Sequence, residues 1–226
     1  MPSMARKVWM DRLLDLLFPP KCIFCHELLM DEEREGRICT RCRTELLPGR
    51  LPIEGEFLDG GLSIFVYEGD VRHSLHRFKF NGRKEYAPVY ARLLCGIVEE
   101  IDWADGMDIV TYVPTNRKNE RRRGYNHAAL LAECVAGRLK LPFVPTMEKV
   151  RETKGMYGLK PHERRANILG AIKVFCEAEQ ICGKTVLLID DIFTTGATAG
   201  ECARVLRMAG AAKVFVLTVA KTGKSY

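Results

Sequence analysis

The most constraining stretch of the sequence is Val186-Leu187-Leu188-Ile189-Asp190-Asp191-Ile192-Phe193-Thr194-Thr195-Gly196-Ala197-Thr198. A nearly continuous apolar run meets two adjacent acids and a loop of small residues. Beyond it, Cys202, Val205 and Leu206 recur at helical spacing. Runs of this kind form strands covered on both faces, as in parallel sheets. A loop of Thr, Gly and Ala lets the backbone approach a ligand closely, and its N–H groups, with the helix N-terminus, cradle a phosphate. Two carboxylates cannot favour phosphate, so they are expected to meet hydroxyls or a metal. Phosphate on the loop and hydroxyls on the acids describe a phosphorylated sugar at the carboxyl end of a strand. A Walker A loop is excluded, because Ala178 stands where Gly183-Lys184-Thr185 would need its upstream glycine.

The rest of the chain fits a sheet built around that strand. Strands are expected at 62–67, 108–113, 143–148, 172–176, 185–190 and 213–219, and helices near 85–101, 126–139 and 197–209. Their alternation indicates an α/β fold with a parallel sheet. Pro48, Pro52, Gly55, Gly60 and Gly61 mark a linker, which divides the chain into a cysteine-bearing domain over 1–50 and an α/β domain over 51–226. Residues 4–18 read as a short amphipathic helix carrying Trp9, Leu13, Leu16 and Leu17, stopped by Pro19-Pro20. Its acidic residues favour packing on the following domain over a membrane surface.

Nine cysteines need an explanation. Four form two tight pairs, Cys22-x-x-Cys25 and Cys39-x-x-Cys42; Cys95, Cys134, Cys176, Cys182 and Cys202 are scattered as small hydrophobes. An odd total with no secretory signal in the first residues argues against a disulfide framework and for a cytoplasmic chain. Two such pairs close a tetrahedral zinc site, so Cys22, Cys25, Cys39 and Cys42 are the expected ligands of a structural zinc ribbon. A redox pair and an iron–sulfur centre are the competing readings. His26 is a bystander, since four sulfurs already fill the shell.

The charge is concentrated. The chain carries 35 Lys and Arg against 29 Asp and Glu, a net of +6. Residues 113–125, VPTNRKNERRRGY, hold five basic and one acidic residue; residues 151–165, RETKGMYGLKPHERR, hold five and two. The two segments sum to +7, which leaves the remainder near neutral. A turn directly after a strand, presenting Thr115, Asn116, Arg117 and Lys118, suits a pyrophosphate. A solvated face is the bland alternative. Arg121, Arg122, Arg123, Arg151, Lys154, Arg164 and Arg165 also suit a nucleic-acid backbone, with Tyr125 and Tyr157 available to stack on bases.

The thirteen residues from Val186 to Thr198 resemble the 5-phosphoribosyl 1-pyrophosphate (PRPP) motif of type I phosphoribosyltransferases. The resemblance implies ribose hydroxyls on Asp190 and Asp191, a 5′-phosphate on Thr194, Thr195, Gly196, Ala197 and Thr198, and pyrophosphate with Mg²⁺ on Thr115–Lys118. Segment 151–165 would be the loop that closes over the site. Thr194 stands where purine-salvage members carry Asp, which points away from a hypoxanthine-type acceptor. From LLDLLFPPKCIFC through Phe78-Lys79-Phe80-x-Gly82, VPTNRKNERRRGYN, Arg151-x-Thr153 and Arg164-x-x-Asn167, the whole chain is similar to the ComF family of competence-associated proteins. His127 and Met156 depart from its usual glutamines. The resemblance implies a protein that binds PRPP and single-stranded DNA, with DNA-uptake or recombination proteins as partners. The alternative it implies is an active transferase using a nucleobase or amine.

Overall fold

The computed structural model describes residues 19–98, 101, 106–116, 118, 120–121, 124–153 and 161–223. The expected helix over 4–18 lies outside the described residues, as do Arg117, Arg122, Arg123, Lys154, Met156 and Tyr157. The chain divides into two compact units, Met1–Leu47 and Pro48–Tyr226.

In the first unit each cysteine pair sits on a tight turn. The Cys22 N–H donates to the Glu27 carbonyl (2.8 Å) and the His26 N–H to the Cys22 carbonyl (3.0 Å), with His26 in the left-handed region at φ 67°. An isolated antiparallel bridge joins Lys21 to Leu28. The second pair opens helix α1 (Thr40–Glu45). Glu33 fastens the two halves: its carboxylate accepts from the Met30 N–H (3.0 Å) and the Thr40 hydroxyl (2.7 Å). Among the described residues of this unit, Ile23, Phe24, Leu29 and Ile38 are buried together with Cys22, Cys39 and Cys42, a small apolar set that a metal staple would supplement.

The second unit is a five-stranded sheet, ordered β1-β2-β7-β6-β3. Its strands are β1 (Leu51–Pro52), β2 (Gly60–Val66), β3 (Ile109–Tyr112), β6 (Thr185–Phe193) and β7 (Lys213–Lys221). All neighbours pair in parallel except β1, which runs antiparallel along the β2 edge. The continuous apolar character of β6 and β7 matches burial on both faces. Val186, Leu188, Val214 and Val216 pack with Cys202, Ala203 and Leu206 of helix α6 (Ala197–Met208). The other face is covered by α3 (Ala87–Val98) and α4 (His127–Leu139), whose N-terminus is capped by the Asn126 side chain accepting from Ala128 and Ala129. Helix α2 (Gly69–Phe80), not expected from the sequence, follows β2 and buries Val71, Leu75 and Phe78.

Two expected strands do not join this sheet. The 143–148 and 172–176 segments yield β4 (Met147–Lys149) and β5 (Ile172–Val174), an antiparallel ribbon of their own. The first segment touches the sheet without pairing along it: Val110 exchanges hydrogen bonds with Pro142 and Val144, and the hydroxyls of Thr111 and Thr146 bond at 2.8 Å. Helix α5 (Pro161–Ile168) lies between the two strands of this ribbon in the chain.

Candidate functional site

The four Sγ atoms of Cys22, Cys25, Cys39 and Cys42 lie within 4.8 Å of one another. Cys25 and Cys39 are 3.6 Å apart, far beyond a disulfide and close to the ~3.8 Å edge of a tetrahedron with ~2.3 Å zinc–sulfur bonds. The N–H groups of Cys39 and Cys42 approach Cys22 Sγ and Cys39 Sγ, both at 3.4 Å, as donors to thiolates. Burial opposes the Cys25 thiolate, but the Glu27 backbone and the Arg41 guanidinium overcome it and lower that pKa. Burial and the neighbouring Cys22 charge push Cys42 up. Four sulfurs this close cannot all ionise without a cation among them, and a divalent soft-ligand ion is what they fit.

In the second unit the phosphate loop follows β6 directly. Gly196 begins α6 at φ 75°, and a Cβ there would lie 2.7 Å from Phe193 Cζ, so only glycine suits the position. No side chain caps α6. Its first N–H groups therefore face the loop, beside the exposed Thr194 and Thr195. The end of β7 braces the loop: the Thr222 N–H donates to the Phe193 carbonyl (3.0 Å) and its hydroxyl to the Thr194 carbonyl (3.4 Å). A cleft of about 330 Å³ opens beside Thr195, Gly196 and Ala197, with Glu56, Phe57 and Arg165 on its rim.

The acid pair belongs to β6 itself, which runs on to Phe193. Successive strand residues face opposite ways, so the two acids have different surroundings. Asp191 is 2% exposed, with Lys79 Nζ 2.9 Å and His127 Nε2 3.2 Å from its Oδ2. Burial would raise its pKa; Lys79 first, then His127, reverse that and draw it down to about 2. Asp190 is half-buried, and one of its oxygens accepts from the Asp191 N–H (2.8 Å). Burial and the Asp191 charge raise its pKa well above the usual carboxylate range, against a smaller pull from Lys79. The pair thus offers one fixed anion and one acid ready to share a proton.

Lys79 and His127 are the functional residues that sequence reasoning did not place at the site. The signal for Lys79 was the Phe78-Lys79-Phe80-x-Gly82 segment. At His127 an imidazole N–H does what a glutamine amide can also do, donate toward Asp191.

The basic segments separate. Thr115 and Asn116 lie half-buried on the turn after β3, and the Asn116 side chain accepts from the Lys118 N–H (2.8 Å). Lys118 and Arg121 are exposed. The Tyr125 hydroxyl donates to the Phe78 carbonyl and Lys84 lies over its ring at 5.1 Å, so this tyrosine ties the turn to α2. Arg151 donates to the Asn167 and Leu169 carbonyls (3.0 and 3.1 Å), closing the end of α5. Arg165 pairs with Glu56 at 3.3 Å, and Arg164 is half-buried nearby in sequence.

A mostly parallel α/β sheet with an internal strand that ends in an acid pair and a phosphate loop, joined to a four-cysteine ribbon, defines a type I phosphoribosyltransferase-fold protein with an N-terminal zinc ribbon. Residues 13–53 match the double zinc ribbon domain family. The DNA utilization protein YhgH of Salmonella typhi is 30% identical over 165 residues, 71% of each chain. Competence protein F of Haemophilus influenzae is 29% identical over 65% of this chain and 66% of its own. Competence protein ComFC of Bacillus subtilis is 28% identical over 66% and 59%. The chain belongs to the ComF family. Among solved structures, glutamine PRPP amidotransferase from B. subtilis covers 61% of this chain and 26% of its own at 22% identity and a TM-score of 0.38. Adenine phosphoribosyltransferase from Saccharomyces cerevisiae covers 65% and 74% at 18% and 0.37. Likenesses at that level carry no weight alone; the sheet order and the loop define the fold.

Proposed function

We propose that this chain binds PRPP on the β6–α6 loop and single-stranded DNA on its basic segments, and serves DNA uptake on the cytoplasmic side of the membrane, as the names of its relatives suggest. The observation that carries the reading is the division of labour within the acid pair. Lys79 and His127 neutralise Asp191 inside the protein, which lets an uncapped helix N-terminus and its threonine loop receive an anion close by. Asp190 remains for the ribose hydroxyls, with Asp191 behind it. Thr115, Asn116, Arg117 and Lys118 receive the pyrophosphate, with Mg²⁺ as its counter-charge.

DNA belongs on the second unit by charge. Residues 19–47 carry five basic against six acidic residues, and four thiolates with one zinc make the ribbon more negative still. The 113–125 segment is the strongly positive one. Among the described residues no helix is long and apolar enough to cross a membrane.

PRPP should raise the melting temperature of the wild-type protein, and Asp190→Asn with Asp191→Asn should abolish that rise. An unchanged shift in the double variant refutes the site. Oligonucleotide affinity should fall steeply with salt and with Arg121, Arg122 and Arg123 changed to Ala; a flat salt response ends the DNA reading. Pyrophosphate release from PRPP over a panel of nucleobases and amines tests the alternative, an active transferase.

A further inference from the structure

A third basic segment lies outside the two already described. Residues 71–84, VRHSLHRFKFNGRK, hold five Lys and Arg and no acid. The three segments together carry +12 in a chain of net +6, so the acids elsewhere had masked this charge in the whole-chain count. The segment is most of helix α2 and the turn that follows it. Its two faces differ. Val71, Leu75 and Phe78 are buried, and Lys79 turns inward to Asp191. Arg72, His76 and Phe80 recur at every fourth residue and are exposed, so they form one outer row. Arg83 and Lys84, also exposed, continue the row past the helix end. Arg83 pairs with Glu85 at 3.4 Å, a surface contact weak enough for a phosphate to displace.

A helix C-terminus favours basic residues, which accounts for charge in the last turn but not for an exposed ring among the charges. Phe80 is 50% exposed and held by stacking on His76, with ring centroids 4.8 Å apart. A polyanion whose units also carry flat rings suits both the charges and the ring. An anionic bilayer would need an apolar stripe to insert, and the stripe of α2 is buried. A duplex keeps its bases in its own stack and offers Phe80 none. The row also meets the 113–125 segment. The Tyr125 hydroxyl donates to the Phe78 carbonyl, and the Lys84 ammonium lies 5.1 Å over the Tyr125 ring. Beyond that ring a shallow hollow of about 440 Å³ is lined by Glu120, Arg121 and Gly124. In segment 151–165, by contrast, Arg151 is engaged by the Asn167 and Leu169 carbonyls and Arg165 by Glu56.

We propose that single-stranded DNA runs from the hollow at Arg121 across Lys84 onto the outer row of α2. A base stacks on Phe80, and phosphates meet Arg72, Arg83 and Lys84. The path rests on the DNA reading above and deepens it, because it says which surface carries the strand.

The test is binding of the full chain to a labelled thymidine oligomer of about 20 nucleotides, read by fluorescence anisotropy. A duplex of the same length and vesicles of phosphatidylglycerol with phosphatidylcholine are the other two probes. Phe80→Ala, at an exposed position, should weaken the single strand at least about fivefold and leave the duplex unchanged. Arg83→Ala with Lys84→Ala should weaken the strand and lower the slope of log affinity against log salt by about 1.4. Arg138→Ala with Lys213→Ala removes the same charge from exposed positions in the last turn of α4 and at the start of β7. That control should change affinity less than about twofold. An equal loss in the control overturns the path, as does strand binding that neither α2 variant alters. Vesicle binding that depends on Phe80, with strand binding that does not, gives the row to a lipid surface and also overturns it. If changing Arg121, Arg122 and Arg123 to Ala abolishes strand binding while the α2 variants do not, the path fails and the DNA reading stands. Absence of strand binding by the wild type ends both.

Discussion

Lys79→Met removes the ammonium that holds Asp191 while keeping most of the side-chain volume. The carboxylate is almost fully buried, and Lys79 itself is only 20% exposed, so water cannot replace the lost charge at little cost. Breaking a buried pair by deleting one partner costs about 3–5 kcal/mol when nothing else remains. Here His127 stays at 3.2 Å and carries part of the load. A carboxyl drawn from 3.8 to about 2 corresponds to about 2 kcal/mol, at about 1.4 kcal/mol per pH unit. In a chain of this size that lowers the melting temperature by about 4–8 °C. The pH dependence gives the signature. A depressed carboxyl stabilises above its unfolded pKa and loses that contribution as pH falls through the folded value. The gap between wild type and variant should therefore be full at pH 5–7 and close between about pH 4 and pH 2. Thermal unfolding across that range measures it, and Asp191→Asn completes a double-mutant cycle in which Lys79→Met becomes nearly neutral. A gap below about 0.5 kcal/mol at pH 7, or one that persists undiminished at pH 2, refutes the assignment.

The purified protein should carry about one zinc per chain, and Cys39→Ser should lose both the metal and the thermal transition of the first unit; metal analysis with calorimetry reads both. Gly196→Ala should cost about 1–2 kcal/mol through its left-handed backbone and the contact with Phe193, and should remove PRPP-dependent stabilisation in a thermal-shift assay. Glu201 is a buried carboxylate that accepts from the Gly170 N–H (2.8 Å) and Arg204 (2.8 Å). Burial opposes its ionised form, but those donors hold its pKa low. Glu201→Gln should therefore cost about 1–2 kcal/mol at neutral pH and less as pH falls below the usual carboxylate range, measured by urea unfolding.

The loop and the ribbon were legible because each is local. Thirteen consecutive residues hold the strand, the acids, the threonines and the helix start, and four cysteines declare themselves by spacing. The partners of Asp191 were not legible, since α2 and α4 reach it only through tertiary packing. Helix α2 itself escaped notice because its apolar stripe, Val71, Leu75 and Phe78, is narrow and set among charged residues. Ending β6 at Ile189–Asp190 hid the alternation that gives the two acids different neighbours. The ribbon β4–β5 was read as part of the main sheet because its strands are short, and composition alone does not say with which strand an extended segment pairs.

β2 and β7 lie side by side, and the Lys221 ammonium donates to the Pro52 carbonyl at 2.7 Å. The second unit therefore brings its last strand beside its second, with the short β1 hydrogen-bonded along the other edge of that second strand. A short bridge from residue 223 back to residue 48 would leave the sheet intact, and new termini cut elsewhere, for instance near Gly106, would leave the phosphate loop braced by Thr222. Such a circular permutant should fold without residues 1–47, which makes the four-cysteine unit separable from a self-sufficient sheet.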